Sequence, residues 1–236
     1  MAQLLLSTLP QDDYGRLRPS LEPVTLPVGE VIYESHARPD YVYFPTTSVI
    51  SVLYTMQDGS TAEMGLVGND GVVGIALFLG GDTGGNRAVV QIGGHAFRMK
   101  ANIVQEEFAR GGPFQKILLR YTWALVTQIS QTAVCNRLHS VEQRLCRWLL
   151  LMQDRTNSDE LPMTQEFISS MLGDRRESIT IAAGRLQSAG AIHYVRGHIR
   201  VLDRKGLEAH ACECYRTVKA ELDRLFEKGK SVGFHA

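Results

Sequence analysis

Only four cysteines occur in this chain, at positions 135, 146, 212 and 214, too few and too scattered for the disulfide framework of a small secreted domain. Long apolar runs are missing as well, since no stretch reaches the roughly 18 consecutive apolar residues that a membrane-spanning helix requires. The opening residues Met1-Ala2-Gln3-Leu4-Leu5-Leu6 have neither a basic n-region nor a sustained apolar core. A cytoplasmic protein without a membrane partner is therefore expected. Neither sign of charge dominates: 25 Lys and Arg residues balance 25 Asp and Glu residues, which argues against a nonspecific nucleic-acid coat.

Signatures of catalysis are also lacking. No Gly-x-Ser-x-Gly sits on a strand-to-helix turn, and there is no Gly-x-x-x-x-Gly-Lys-Ser/Thr phosphate loop and no His-Glu-x-x-His. A metal oxygenase would need two His and a carboxylate converging, yet His36 and His95 have no His-x-His partner. No catalytic residue and no enzyme activity are expected. Cys212 and Cys214 have the spacing of two thiolate ligands, but a single Cys-x-Cys pair is a weak metal signal, so they read as reduced structural or incidental thiols, and no metal is expected.

What is present is unevenly spread. Residues 1–115 carry 7 Lys and Arg against 12 Asp and Glu, whereas residues 116–236 carry 18 against 13. An acidic half joined to a basic half fits a sensor attached to a nucleic-acid-binding module. At 236 residues with 44% apolar content, the chain is long enough for two domains that each bury a core.

The basic half holds the most specific pattern. In Thr164–Leu172 the residues Ile168, Met171 and Leu172 share one face, and after Gly173 the residues Ile179, Ala183 and Leu186 form a second stripe at i, i+4 and i+7. Two helices that meet across a glycine turn leave Arg176, Glu177, Thr180, Ile181 and Gly184 outward, where a recognition helix reads base edges. Thr164 suits an N-cap, and Asp174 with Glu177 has capping-box spacing. Ile192–Val195 and His198–Leu202, joined by Arg196-Gly197, predict a tight hairpin that serves as a wing. Packing alone would account for the same helices and hairpin, leaving the outward arginines as solvated surface.

These residues resemble the Crp/Fnr family of transcription regulators. The likeness is carried by Thr164-Gln165-Glu166, Gly173, Arg176-Glu177, Gly190, and Gly197 through Leu202-Asp203-Arg204 with Gly206-Leu207. Upstream, Pro27-Val28-Gly29-Glu30-Val31-Ile32-Tyr33 is similar to the turn and strand that enter the family's β-roll. The resemblance implies an α+β fold: a cyclic-nucleotide-binding-like sensor roll over residues 1–113, a dimerisation helix over 114–138 and a winged helix-turn-helix DNA-binding domain over 139–236. It further implies a homodimer on an inverted-repeat site in double-stranded DNA, with RNA polymerase as a further partner. Expected DNA contacts are Thr164, Arg175, Arg176, Glu177, Thr180, Ile181, Arg185, Arg196 and His198. Base readout falls first to Arg176, with Glu177 divided between a base and its capping role.

The acidic half is rich in short β-type runs, namely Val31–Glu34, Tyr41–Phe44, Val49–Tyr54, Thr61–Val67, Ala88–Ile92 and Ala96–Lys100, punctuated by turn signals such as Asp58-Gly59. Short helices are expected at Leu4–Leu9, Tyr14–Leu17 and Ala101–Arg110. In cyclic-nucleotide-binding relatives a Gly-Glu pair holds the ribose and an Arg-Ser pair the phosphate. The matching positions here are Gly71-Val72-Val73-Gly74 and Asn86-Arg87-Ala88, so the carboxylate and the serine hydroxyl are lost. Cyclic AMP is not expected as the effector, whose identity stays unknown, and Arg87 fits an anion contact and a plain ion pair equally. Some relatives hold an iron–sulfur cluster through N-terminal cysteines. None precedes Cys135 here, so no such cluster is expected.

Between the halves, Phe114–Leu151 contains no Pro or Gly. A stripe of Leu118, Tyr121, Leu125, Ile129 and Thr132 runs near a 3.5-residue repeat. A parallel dimer seam and a helix packed on its own roll both account for it. Asn136–Ser140 reads as the hinge, followed by a helix over Val141–Asp154 with Val141, Leu145, Trp148 and Leu149 inward. Gly206–Lys230 reads as one amphipathic closing helix.

Overall fold

Alternating β-branched runs and turn residues divide Glu22–Lys100 into seven strands in the computed structural model, which describes residues 3–81 and 83–227. Two short helices, α1 (Leu4–Ser7) and α2 (Gln11–Leu17), precede β1 (Glu22–Leu26), β2 (Val31–Tyr33), β3 (Tyr41–Pro45), β4 (Val49–Thr55), β5 (Thr61–Val67), β6 (Asn86–Ile92) and β7 (Gly94–Lys100). They form two antiparallel sheets with orders β1-β7-β3 and β2-β6-β4-β5. The sequence pattern anticipates six of the strands and misses β1. Pro23 makes that segment look broken, and the strand is tolerated because it lies at a sheet edge, where a lost N–H donor costs little. At the β4–β5 turn Gly59 takes φ +84°, and Asp58 Oδ1 accepts from the Ser60 amide at 2.9 Å.

The chain then enters α3 (Ala101–Ala109) and α4 (Pro113–Leu138), which starts with Pro at its first turn. His139 is extended, and Ser140 caps α5 (Val141–Thr156) in a reciprocal capping box with Gln143. After β8 (Glu160–Pro162) come α6 (Gln165–Leu172), α7 (Arg176–Ser188), β9 (Ile192–Val195), β10 (His198–Val201), α8 (Arg204–His210) and α9 (Glu213–Phe226). The wing is thus three-stranded, in the order β8-β10-β9. The expected closing helix is two helices, because Ala211 and Cys212 are extended between α8 and α9. Its end, Lys228–Lys230, lies outside the described residues.

Helix α5 is the hub. Leu145, Cys146, Trp148, Leu149, Leu150 and Met152 are all buried, because α5 meets β4 and β5 on one side and α7, α8 and α9 on the others. A helix enclosed in this way is apolar almost all round rather than along one stripe. No helix among the described residues is long and apolar enough to cross a membrane.

Candidate nucleic-acid interface and its links to the roll

Thr164 caps α6 by accepting from the Phe167 amide at 3.2 Å, and Gly173 closes the helix in the left-handed conformation at φ +61°. Ile168, Met171 and Leu172 pack inward against Ile179, Ala183 and Leu186 as the spacing predicts. The expected Asp174–Glu177 capping box does not form. Arg175 occupies the N-cap position of α7 without a side-chain cap, and Asp174 instead pairs with Arg144 of α5. Arg144 is buried, and its Nη1 also donates to the Leu172 carbonyl at 3.1 Å. A buried guanidinium needs a counter-charge more than a helix end needs one cap, which explains why the carboxylate turns away. Partial burial raises the Asp174 pKa, but the Arg175 amide, Ser178 and Arg144 outweigh it and hold the carboxyl below its ordinary range. Arg144 and Asp174 thereby fix the start of α7 to α5.

Arg175, Arg176, Glu177, Thr180, Ile181 and Arg185 are all exposed along α7, with Thr164, Arg196 and His198 exposed nearby on α6 and the wing. Arg196 and Gly197 both have positive φ, +47° and +81°, as a two-residue type I′ hairpin turn demands. A Cβ built on Gly197 would lie 3.3 Å from Thr164 Cγ2, so the wing tip abuts the start of α6. Two residues join this surface that the sequence reading leaves out. Thr180 Oγ1 donates to Gln165 Oε1 at 2.8 Å, and Tyr194 lies by the Gln165 backbone and within the field of Arg176. Period-two alternation places Tyr194 on the same strand face as buried Ile192, so its sequence pattern reads as packing and gives no signal for this surface. Arg185 is partly committed elsewhere, since its Nη1 lies 3.6 Å from Glu142.

In the roll, Val72, Val73 and Ala88 are core residues with no more than 2% exposure, so none offers a polar group to a ligand. Val73 exchanges backbone hydrogen bonds with Tyr43 at 2.9 and 3.0 Å, and a Cβ on Gly71 would meet the Tyr121 hydroxyl at 2.6 Å. Gly74 takes φ +104° and starts a short 3-10 turn, Ile75–Phe78. Arg87 Nε lies 3.3 Å from Glu34, and Asn86 sits beside it at the start of β6.

The expected dimer stripe lies inside the protomer. Leu118, Tyr121, Leu125 and Thr132 are buried, and Ile129 packs against the same core, because this face of α4 covers β5: Gly65 approaches close enough that a Cβ there would be 3.2 Å from Leu125. Exposed apolar residues occupy another face, with Leu119 at 45%, Trp123 at 65% and Val126 at 45%. Gln128 donates to the Leu66 carbonyl at 3.2 Å and accepts from Arg155 Nη2 at 2.9 Å, while Arg155 also pairs with Asp70 at 3.2 Å. Roll, long helix and α5 are joined by this buried polar chain.

Next to it lies Glu63 on β5. Its carboxylate accepts from Trp148 Nε1 of α5 at 2.9 Å, from Ser51 Oγ at 2.5 Å and from Gln91 Nε2 at 3.1 Å, and Gln91 also reaches Met171 of α6. Complete burial pushes the carboxyl up to about 7 despite these hydrogen bonds and the charges of Arg147 and Arg155. An ionisable group is therefore enclosed where the roll meets α5 and α6. The cysteines are free and buried, and Cys212 and Cys214 converge with Cys135 and His139, more than 70 positions upstream.

Residues 143–210 match the Crp-like helix-turn-helix domain family. No protein with a curated description matches the chain in sequence. Among solved structures, FixK2 from Bradyrhizobium japonicum superposes with a TM-score of 0.70 at 17% identity, over 81% of this chain and 98% of that one. TTHA1359, a CRP/FNR-family transcriptional regulator from Thermus thermophilus, gives 0.64 at 20% identity, over 80% and 98%. The c-di-GMP-responsive global regulator CLP from Xanthomonas campestris gives 0.66 at 14% identity, over 81% and 99%. Residues 143–210 thus carry a Crp-like helix-turn-helix domain, and the chain shares its fold with these regulators.

Proposed function

We propose that the protein acts as a two-fold dimer that reads an inverted-repeat DNA site through α7, under the control of its N-terminal roll. The observation that carries this reading is the exposed row of Arg175, Arg176, Thr180 and Ile181 on a helix whose opposite face is packed and whose start is tied to α5 by Arg144 and Asp174. Two such helices related by a dyad reach successive major grooves, which puts half-site centres about 10–11 base pairs apart. The division of labour follows the elements, with residues 1–113 sensing, 114–138 pairing subunits and 139–236 binding DNA. RNA polymerase is the further partner.

The dimer seam is assigned to the solvent-facing side of α4. Leu119, Trp123, Val126, Ser130 and Ala133 recur at alternating intervals of four and three, the spacing of a coiled-coil seam, and all five are exposed in the protomer. Arg176 serves base readout, since its fork matches guanine O6 and N7. Glu177, released from capping, is free to accept from cytosine N4. Arg176→Ala should cost ~1–3 kcal/mol and relax preference at one base pair per half-site, while Arg196→Ala at the wing should weaken all sequences alike and flatten the salt slope. Selection from randomised half-sites decides this. An unchanged base preference in Arg176→Ala, with only lower overall affinity, would make Arg176 a backbone anchor.

Cyclic AMP is not the effector in this reading. With Val72, Val73 and Ala88 in the core, a ribose contact and a phosphate contact worth ~1.5–3 kcal/mol each are lost. Calorimetry should find no binding at micromolar concentrations. Tight cyclic AMP binding coupled to a gain in DNA affinity would overturn the assignment.

A further inference from the structure

Cys135 and His139 lie one helical turn apart at the end of α4, so their side chains share a face. The extended link between α8 and α9 brings Cys212 and Cys214 to the same place. The three Sγ atoms and one imidazole nitrogen all lie within 4.8 Å of one another. Cys135 Sγ is 3.5 Å from Cys212 Sγ, and Cys214 Sγ is 3.6 Å from His139 Nδ1. A tetrahedral ion with Zn–S near ~2.3 Å and Zn–N near ~2.0 Å sets S···S at about 3.8 Å and S···N at about 3.5 Å. These two pairs thus already stand within a few tenths of an ångström of ligand-shell separations, and the remaining pairs lie within 4.8 Å.

Two features around the cluster point the same way. His139 Nε2, the nitrogen turned away from Cys214, lies 3.5 Å from Glu213 Oε2. A carboxylate on the far nitrogen is the usual means of orienting a metal-bound histidine and fixing its tautomer. Arg147 is buried, and its charge reaches Cys135 and Cys214, where it opposes the build-up of negative charge from three thiolates around a divalent ion. All three cysteines are at most 3% exposed, so the ion would be shielded from solvent on the thiolate side, as suits a structural site rather than a catalytic one.

We propose that Cys135, His139, Cys212 and Cys214 bind a single structural zinc ion that ties the end of α4 to α8 and α9. Binding displaces the three thiol protons to solvent and leaves the metal's oxidation state unchanged. The tie lies beside Ser140, where α4 gives way to the DNA-binding helices, so it fixes the direction in which those helices leave the long helix.

Metal analysis of the full-length protein, purified without chelators and passed through gel filtration, should find about one zinc per protomer. Protein stripped of zinc and reloaded with Co²⁺ should show the intense visible bands of a tetrahedral site together with thiolate-to-cobalt charge transfer. A double variant, Cys212→Ser with Cys214→Ser, should lose both signals, whereas Cys146→Ser, which removes a buried thiol outside the cluster, should keep them. Should the double variant fail to fold, zinc content and the cobalt spectrum of the unaltered protein decide alone. The proposal is overturned by unaltered protein that carries no zinc and gives no tetrahedral cobalt spectrum, by a cobalt spectrum that survives in the double variant, or by recovery of a Cys135–Cys212 disulfide from the purified chain.

Discussion

Trp123→Glu should give folded monomers, whereas Leu125→Glu, two residues away, should damage the protomer itself. Trp123 is 65% exposed on the open face of α4, so a carboxylate there stays solvated in the isolated subunit and costs its fold little. In a two-fold seam the change appears twice. A buried aromatic anchor contributes roughly 2–4 kcal/mol per copy, so the dimer dissociation constant should rise on the order of a thousandfold or more. Leu125 is 5% exposed and packs against Gly65 of β5. An unpaired charge there costs roughly 3–5 kcal/mol, which lowers Tm by about 10 °C for a chain of this size. Sedimentation equilibrium and thermal melts separate the two outcomes. A Trp123→Glu protein that stays dimeric at micromolar concentration would show that the open face is not the seam, and an unchanged melt for Leu125→Glu would contradict its placement against β5.

The second large effect is a pH dependence centred on Glu63. Its carboxyl is raised from 4.5 to about 7 in the folded protein, mainly by burial, so the native state favours the protonated form. Stability from this group is complete below the unfolded value near 4.5, declines as pH rises, and is lost above about 7. That range corresponds to roughly 3 kcal/mol between the two limits. Glu63→Gln keeps an acceptor for Trp148 Nε1 and cannot ionise. The amide it introduces replaces the oxygen that accepts from Gln91 Nε2, and it donates to Gln91 Oε1, which lacks a hydrogen-bond partner, once the Gln91 amide turns over. The variant should therefore match the wild type near pH 5 and exceed its stability near pH 8 by about 2–3 kcal/mol. Denaturant titrations at the two pH values measure this. If the difference between wild type and variant does not change with pH, the buried carboxyl is not the group that titrates. Because Trp148 and Met171 belong to helices of the Crp-like helix-turn-helix region, ionisation acts on the contact between that region and the roll.

The sequence by itself determined whatever depends on neighbours a few residues apart. The glycine turn at Gly173, the inward stripes of α6 and α7, the Arg196-Gly197 hairpin and most strands of the roll follow from local periodicity and backbone preference, and the structure reproduces them with ends shifted by a residue or two. Helix α4 shows where such reasoning stops. It carries two apolar rows, one through Leu118, Tyr121 and Leu125 and another through Leu119, Trp123 and Val126, and periodicity gives no reason to prefer either. Only the packing of β5 against one row leaves the other for solvent or a partner. Charged residues mislead for a related reason. Arg144, Arg155 and Glu63 read as surface in a one-dimensional pattern, yet each is buried with partners between 27 and 85 residues away, supplied by elements that only the fold brings together. The cysteine and histidine cluster is the extreme case. Cys135 and Cys212 are 77 positions apart, so a ligand set that needs four atoms within a few ångströms could not exist for the sequence reader until α9 packed along α4.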